Sequence, residues 1–317
     1  MVKRKISGLL AAVLLLGSLC ACADSGTSAL PGKSGESTST VSSNGGGGYV
    51  APPMAQAVYD SAAATGEGSS FIDTSHLAEG YVGASAQSGA RLKFQVKYSG
   101  GDLDYNYDLP SDGTPIVCPL QSGSGEYRFR IMQQTADGKY TEVYGRTEQV
   151  TLSDDFQPYL RPSCYVPYTA SSKVVEHANQ LAATASDTVG VVTAVYEDVI
   201  NSIYYDVEKA ATITTGYLSD PDTTLATGKG ICVDYAVLVA AMLRSQGIPT
   251  KVITGYVAPN DIYHAWNMIW LENESWITVE LKVDPNNWNR VDATFAATGA
   301  EASFVGDGSN YQDYRTY

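Results

Sequence analysis

The stretch from Gly228 to Gly247 constrains this chain more than any other. It opens with glycines at 228 and 230 and carries Cys232 into an almost wholly apolar run. Val233, Ala236, Val237, Ala240, Ala241 and Leu243 recur at helical spacing, and Leu238 and Val239 fill the opposite face. A helix apolar all round is a buried one, so the rest of the fold has to close around it. Arg244 suits its last turn, Gly247 the position just past its end, and Pro249 prevents continuation. Cys232 then falls in the first turn of a central helix. There the unpaired backbone N–H groups and the helix dipole favour a thiolate, which suits a nucleophile. The competing reading is a small buried cysteine that fills core space.

A chain of 317 residues, 44% of them hydrophobic, holds one large or two ordinary domains and can bury a sizeable core. Its formal net charge is −14. Residues 1–21 carry Lys3, Arg4 and Lys5 and no acid, so their removal takes the charge to −17. A chain this acidic is a poor partner for nucleic acid or for anionic headgroups.

The N-terminus reads as an export signal. Lys3-Arg4-Lys5 precedes an apolar run, Ile6 to Leu19, that is short for a membrane span. Leu19-Cys20-Ala21-Cys22 follows and resembles the bacterial lipobox, with Cys22 as the lipidated cysteine. The resemblance implies a signal peptide over 1–21 and a lipoprotein held at a membrane surface outside the cytoplasm. The alternative is an ordinary cleaved signal with two incidental cysteines. Residues 22–50 are rich in Ser, Thr and Gly and end near Gly45 to Gly48, which reads as a flexible tether.

Residues 51–165 read as a β-rich domain, in which the pattern changes to period two between about Ser75 and Leu152. Leu92, Phe94, Val96 and Tyr98 alternate with Arg91, Lys93, Gln95 and Lys97; Tyr127, Phe129 and Ile131 alternate with Arg128 and Arg130. Turn residues punctuate the runs at Gly100-Gly101, Asp112-Gly113, Gly123 to Gly125 and Asp137-Gly138. Half-buried antiparallel strands with frequent turns predict a β-sandwich, an immunoglobulin-like or fibronectin-like module with no catalytic constellation of its own. Cys118 and Cys164 either pair outside the cell or stay free; the sequence leaves both open.

Residues 166–317 begin with helical patterns. Val174, Val175, Ala178, Leu181 and Ala182 make one stripe, and Val191, Val192, Val195, Tyr196, Val199, Ile200 and Ile203 another, with Asp187 placed to cap the second helix. His177 lies in the first and His76 farther upstream; a lone histidine of this kind is ordinarily surface or core. After the central helix come a strand from Thr250 to Val257, a strand opened by His264, a cleanly alternating run from Trp276 to Val283, and a strand that brings Asp292 to its end.

These pieces in order resemble a known family. Gly-Ile-Cys-Val-Asp-Tyr-Ala, Gly-Ile-Pro, Gly-Tyr, His-Ala-Trp-Asn and Trp-x-x-Val-Asp-Ala-Thr-Phe look like the bacterial transglutaminase-like core, over about Lys173 to Phe295. The resemblance implies an α+β papain-like fold, a central helix packed on an antiparallel sheet, behind the sandwich. It implies Cys232 as nucleophile, His264 as general base and acid, and Asp292 as the residue that orients His264. The family usually has Asp-Pro-Thr where this chain has Asp292-Ala293-Thr294; Asp284, followed by Pro285, is a rival for the acid. The segment from Leu281 to Asn289 is longer than the simplest family pattern and suits a loop over the cleft.

Such a set supports acyl transfer from an amide through a thioester. Imidazole both holds the thiolate and protonates the leaving amine, and a carboxylate fixes its tautomer. The Cys232 N–H can help bind the oxyanion; a second donor is not legible, and Tyr205 and Tyr217 are the candidates. With three histidines in all and no Cys/His pair at ligand spacing, no metal or other cofactor is expected. The expected substrates are peptides, proteins or peptidoglycan stems, with hydrolysis ahead of cross-linking to an amine. The remaining alternative is a non-catalytic binding module on the same fold.

Overall fold

The computed structural model describes residues 48–214, 216–258, 262–271, 287–298 and 310–317. Cys22 with its leader and most of the tether, the Trp276–Val283 run, Asp284, and the Leu281–Asn289 segment up to residue 286 lie outside the described residues. The fold class is α+β, as the sequence implies.

Eight strands come first: β1 (Thr65–Glu67), β2 (Ser70–Asp73), β3 (Tyr81–Ala86), β4 (Leu92–Tyr98), β5 (Asp104–Leu109), β6 (Ile116–Pro119), β7 (Gly125–Gln134) and β8 (Tyr140–Val150). They make two four-stranded antiparallel sheets, ordered β1-β2-β3-β6 and β5-β4-β7-β8. Ile72, Val82 and Ala84 of the first sheet share one buried cluster with Leu92, Phe94, Val96, Phe129 and Ile131 of the second. The period-two alternation places those side chains on the inner faces, where the sheets stack as a sandwich.

The second half is built around a helix. α1 (Lys173–Ala182) and α2 (Thr188–Ser202) form the lead-in. Asp187 caps α2, its carboxylate accepting the Gly190 N–H at 2.7 Å. A two-residue strand, β9 (Tyr204–Tyr205), precedes α3 (Val207–Thr212) and α4 (Pro221–Thr227). Gly228, at φ +63°, ends α4 in the left-handed conformation that glycine adopts at no steric cost. The chain then pairs β10 (Lys229–Gly230) in parallel with β9 and enters α5 (Cys232–Ser245). From Asp234 to Ser245 every residue of α5 is buried.

α5 packs on an antiparallel sheet ordered β13-β12-β11-β14, formed by β11 (Thr250–Val257), β12 (Ile262–Leu271), β13 (Asn287–Val291) and β14 (Tyr311–Thr316). A short helix, α6 (Ala293–Ala297), follows β13. The third strand therefore ends at Val291, and Asp292 stands at the turn between it and α6.

β14 joins the two halves. It pairs with β11, while Arg315 donates to the Asp104 carbonyl at 2.9 Å and lies over the Tyr105 ring. The Tyr317 ring meets Tyr105 and Tyr107 edge-on. Arg244, fully buried at the end of α5, donates to the carbonyls of Thr250, Arg161 and Tyr317. Three carbonyl partners are what let a guanidinium stay in the core. Burial still pulls its pKa down to about 10. Tyr49, expected within the tether, is tied to the helical layer instead: its N–H donates to Ala185 and its hydroxyl to the Gln246 carbonyl.

Candidate active site

Cys232 is the first residue of α5, and its placement begins with Asp234 two residues on. One Asp234 oxygen accepts the Ile231 N–H at 2.8 Å, which caps the helix from inside its first turn. Ile231 offers no side-chain oxygen in return. Asp234 is itself wholly buried, and Lys209 (2.6 Å) and the Tyr217 hydroxyl (2.7 Å) satisfy its charge. A Cβ on Gly230 would stand 2.7 Å from the Asp234 Cβ, so only glycine lets the β10 backbone pass this close. The hydrogen-bonded set fixes the helix terminus that presents the sulfur.

His264 is the third residue of β12 and is 5% exposed. Its register is set by β11, where it faces Gly255. Asn267, three residues on, donates to the carbonyls of Ala236 in α5 and Lys251 in β11, which ties strand, helix and sheet together. His264 Nε2 lies 2.9 Å from Asp292 Oδ2, and the His264 side chain also hydrogen-bonds Cys232. With Nε2 turned to the acid, Nδ1 is left for the sulfur.

Burial disfavours the imidazolium. The hydrogen bonds to Asp292 and Cys232, and the charges behind them, outweigh burial and carry the His264 pKa up to about 9. At neutral pH the ring is therefore protonated. Asp292 is 2% exposed and takes a second hydrogen bond, from the Tyr311 hydroxyl of β14 at 2.9 Å. Trp266 packs edge-on against Tyr311 and beside the His264 ring. The structure thus brings together three residues that are far apart in the chain, one each from α5, β12 and the β13–α6 turn.

The set opens into a cleft of about 640 Å3. Cys232, His264, Tyr205, Tyr217 and Tyr263 line it from the helix and sheet, and Lys93, Asn106 and Asp108 of the sandwich form another wall. The sandwich, read from sequence as free of chemistry, therefore shapes the mouth of the site. Tyr217 commits its hydroxyl to Asp234. Tyr205 borders the cleft close enough to Cys232 that the sulfur's charge, after burial, helps push its phenol pKa up. Sequence reasoning missed Tyr311, Lys209 and the cleft-lining sandwich residues; none stands in a motif with Cys232.

The other two histidines sit elsewhere. His76 contacts Glu79 on the sandwich side, and His177 contacts Asp198 between α1 and α2. Among the described residues no three His, Cys, Asp or Glu side chains converge as a metal site, and no described helix is long and apolar enough to cross a membrane.

Residues 175–292 match the family model of the transglutaminase-like superfamily. Over 133 residues the chain is 29% identical to an uncharacterized protein of Mycobacterium tuberculosis and to one of Mycobacterium bovis. The match covers 38% of this chain and 39% of each relative, so the chain spans about two fifths of the curated relatives it matches. Among solved structures, a candidate cysteine protease of Cytophaga hutchinsonii aligns at 17% identity and a TM-score of 0.37, over 78% of this chain and 83% of that one. A TGase aligns at 22% identity and a TM-score of 0.30, over 41% of this chain and 31% of that one.

Proposed function

Residues 175–292 are a domain of the transglutaminase-like superfamily, a superfamily of thiol enzymes, and on that premise we propose that this chain cleaves amide bonds in peptides or proteins through a thioester on Cys232. The observation that carries the reading is His264 held between Asp292 and Cys232.

In the proposed mechanism the Cys232 sulfur attacks the amide carbonyl carbon. The first-turn N–H of Cys232 supports the oxyanion, since helix termini leave such donors unpaired. The His264 imidazolium gives its Nδ1 proton to the departing amine, and the C–N bond breaks. Water then attacks the thioester, neutral His264 takes its proton, and the acid leaves as the sulfur is regenerated. Asp292, itself steadied by Tyr311, keeps Nε2–H in place and stabilises the imidazolium.

Water is the acceptor we favour, because it is abundant and nothing among the described residues of the cleft marks an amine site. An amine in its place would make the enzyme a cross-linking transglutaminase. Substrates in this reading are peptides, surface proteins or peptidoglycan stems. Their setting would be a membrane surface outside the cytoplasm, with the chain anchored through lipid on Cys22. Cys22→Ala is expected to release the chain from the membrane fraction; unchanged fractionation would remove the anchor from the proposal.

The function is tested with a peptidyl electrophile that mimics an amide, added to the full chain and followed by peptide mass mapping. Adduct on Cys232 alone, blocked by Cys232→Ser and slowed by His264→Ala, is the expected result. Turnover of amide substrates is then measured with and without an added primary amine. Free acid as the main product in both supports hydrolysis, and amine incorporation would replace it with cross-linking. No adduct and no turnover would reduce the chain to a binding module.

A further inference from the structure

We infer that Cys118 and Cys164 are a thiol pair placed to close into a disulfide, joining the sandwich to the segment that lines the catalytic cleft. Cys118 lies in β6 and is fully buried. Cys164 lies between the sandwich and α1, is partly exposed and borders the cleft. Their Sγ atoms are 3.5 Å apart. The Cys164 N–H donates to the Val117 carbonyl at 2.8 Å, so the two chain segments already run side by side. A disulfide needs Cα atoms about 4.4–6.8 Å apart, the approach that laterally bonded segments make. Closing the remaining gap then calls for side-chain rotation rather than backbone movement.

The third described thiol is differently placed. Cys232 hydrogen-bonds His264, and its sulfur is engaged there. The division of labour is one cysteine for chemistry and two for a staple. Tyr165, the residue after Cys164, stacks on Tyr317 with ring centroids 3.6 Å apart, and both border the cleft. The staple would therefore pin one wall of the cleft to β6.

The oxidant is a low-molecular-weight disulfide such as glutathione disulfide, or a protein disulfide of the same class. The Cys164 thiolate attacks one of its sulfurs, forming a mixed disulfide and expelling one thiolate. The Cys118 thiolate then attacks Cys164 Sγ and expels the second. Two protein thiols are oxidised and one disulfide is reduced to two thiols, the two protons lost by Cys164 and Cys118 ending on the two expelled thiolates. Burial pushes the Cys118 thiol well up, so the second step is the slow one. The mixed disulfide on Cys164 should accumulate first.

The test equilibrates the full chain in glutathione buffers of increasing oxidation, traps free thiols with excess iodoacetamide, and maps peptides by mass without reduction. A linked pair of Cys118 and Cys164 peptides is expected in oxidising buffer, with Cys232 not linked to either. Closing a loop across 46 residues constrains the unfolded chain, so the oxidised form should melt roughly 5–10 °C above the reduced one. Cys118→Ala should arrest the reaction at a glutathione adduct on Cys164, and Cys164→Ser should leave Cys118 unmodified. Recovery of both cysteines alkylated or singly glutathionylated in fully oxidising buffer would overturn the inference. So would a link between Cys164 and Cys232. The wild-type map decides on its own if either variant fails to fold.

Discussion

Two histidine–aspartate pairs in this molecule have the same geometry and different surroundings. His177 Nε2 lies 2.9 Å from Asp198 Oδ2, and His264 Nε2 lies 2.9 Å from Asp292 Oδ2. The first pair bridges α1 and α2 with side chains 29% and 21% exposed; the second lies between sheet and helix at 6% and 0%. Water weakens the first pair, whereas the second is sealed, supported by Tyr311 and aimed at a sulfur. A hydrogen-bond distance does not by itself make a site. The differences are exclusion of water, a nucleophile hydrogen-bonded to the histidine, and a cleft in front of it.

The sharpest way to break this comparison is to truncate both histidines. His264→Ala, like Cys232→Ala, should lower kcat/KM on a cleaved amide by about 10^3-fold to 10^6-fold, the range seen when members of such a set are removed. His177→Ala should stay within about twofold. Comparable losses in the two histidine variants would erase the distinction. Next in size is Asp292→Asn, which keeps the shape but not the charge and should cost about 10^2-fold to 10^4-fold in kcat.

The buried pair also predicts a pH dependence of folding. The His264 pKa rises from 6.5 to about 9 in the folded state. The native protein therefore holds that proton more tightly than the unfolded chain. Its contribution, about 3 kcal/mol, is fully present below pH 6.5 and is lost as pH rises through about 9. Denaturant titrations across this window should show stability falling in the wild type. In His264→Ala that part of the slope should vanish; an unchanged slope would assign it to other groups.

Asp234 sharpens the comparison from another side, as a buried carboxylate paired with a lysine instead of a histidine. Asp234→Asn should cost about 1–3 kcal/mol of stability, a modest figure because Lys209 keeps 28% exposure and can turn to water. Its thermal midpoint should drop while labelling of Cys232 persists. The smallest effect is expected for Tyr311→Phe, which removes one hydrogen bond to Asp292. It should cost several-fold in kcat with KM little changed, and about 1 kcal/mol of stability.

What the sequence discloses divides along the same physical lines. The ordered motifs carry Cys232, His264 and Asp292 because each stands in a run whose local pattern is strong: an all-apolar helix, a buried strand, a strand followed by a turn. The inner faces of β4 and β7 are legible for the same reason, since period two needs no tertiary information. Tyr311 is not legible. β14 is a sheet-edge strand, and its sequence from Tyr311 to Thr316 is polar at most positions, without an apolar face to announce it. The bond from Tyr311 to Asp292 exists only once β14 lies against β11. Arg244 is a related case. It reads as a charged residue in a helix's last turn, yet three backbone carbonyls from separate segments hold it in the core. Lys93 likewise reads as the polar face of a sandwich strand, and Asp108 is its partner in β5. They border the cleft because the two halves of the chain pack together.

The central claim is that Cys232 and His264 form an activated sulfur–imidazole pair, and the direct measurement is the rate of Cys232 alkylation against pH. The full chain and His264→Ala are treated with iodoacetamide, and labelling is resolved peptide by peptide. The account predicts rapid labelling of Cys232 at about pH 6, well below the free-thiol range near 8.5, lost or shifted in His264→Ala. Labelling that follows an ordinary thiol and is the same in both proteins would contradict it.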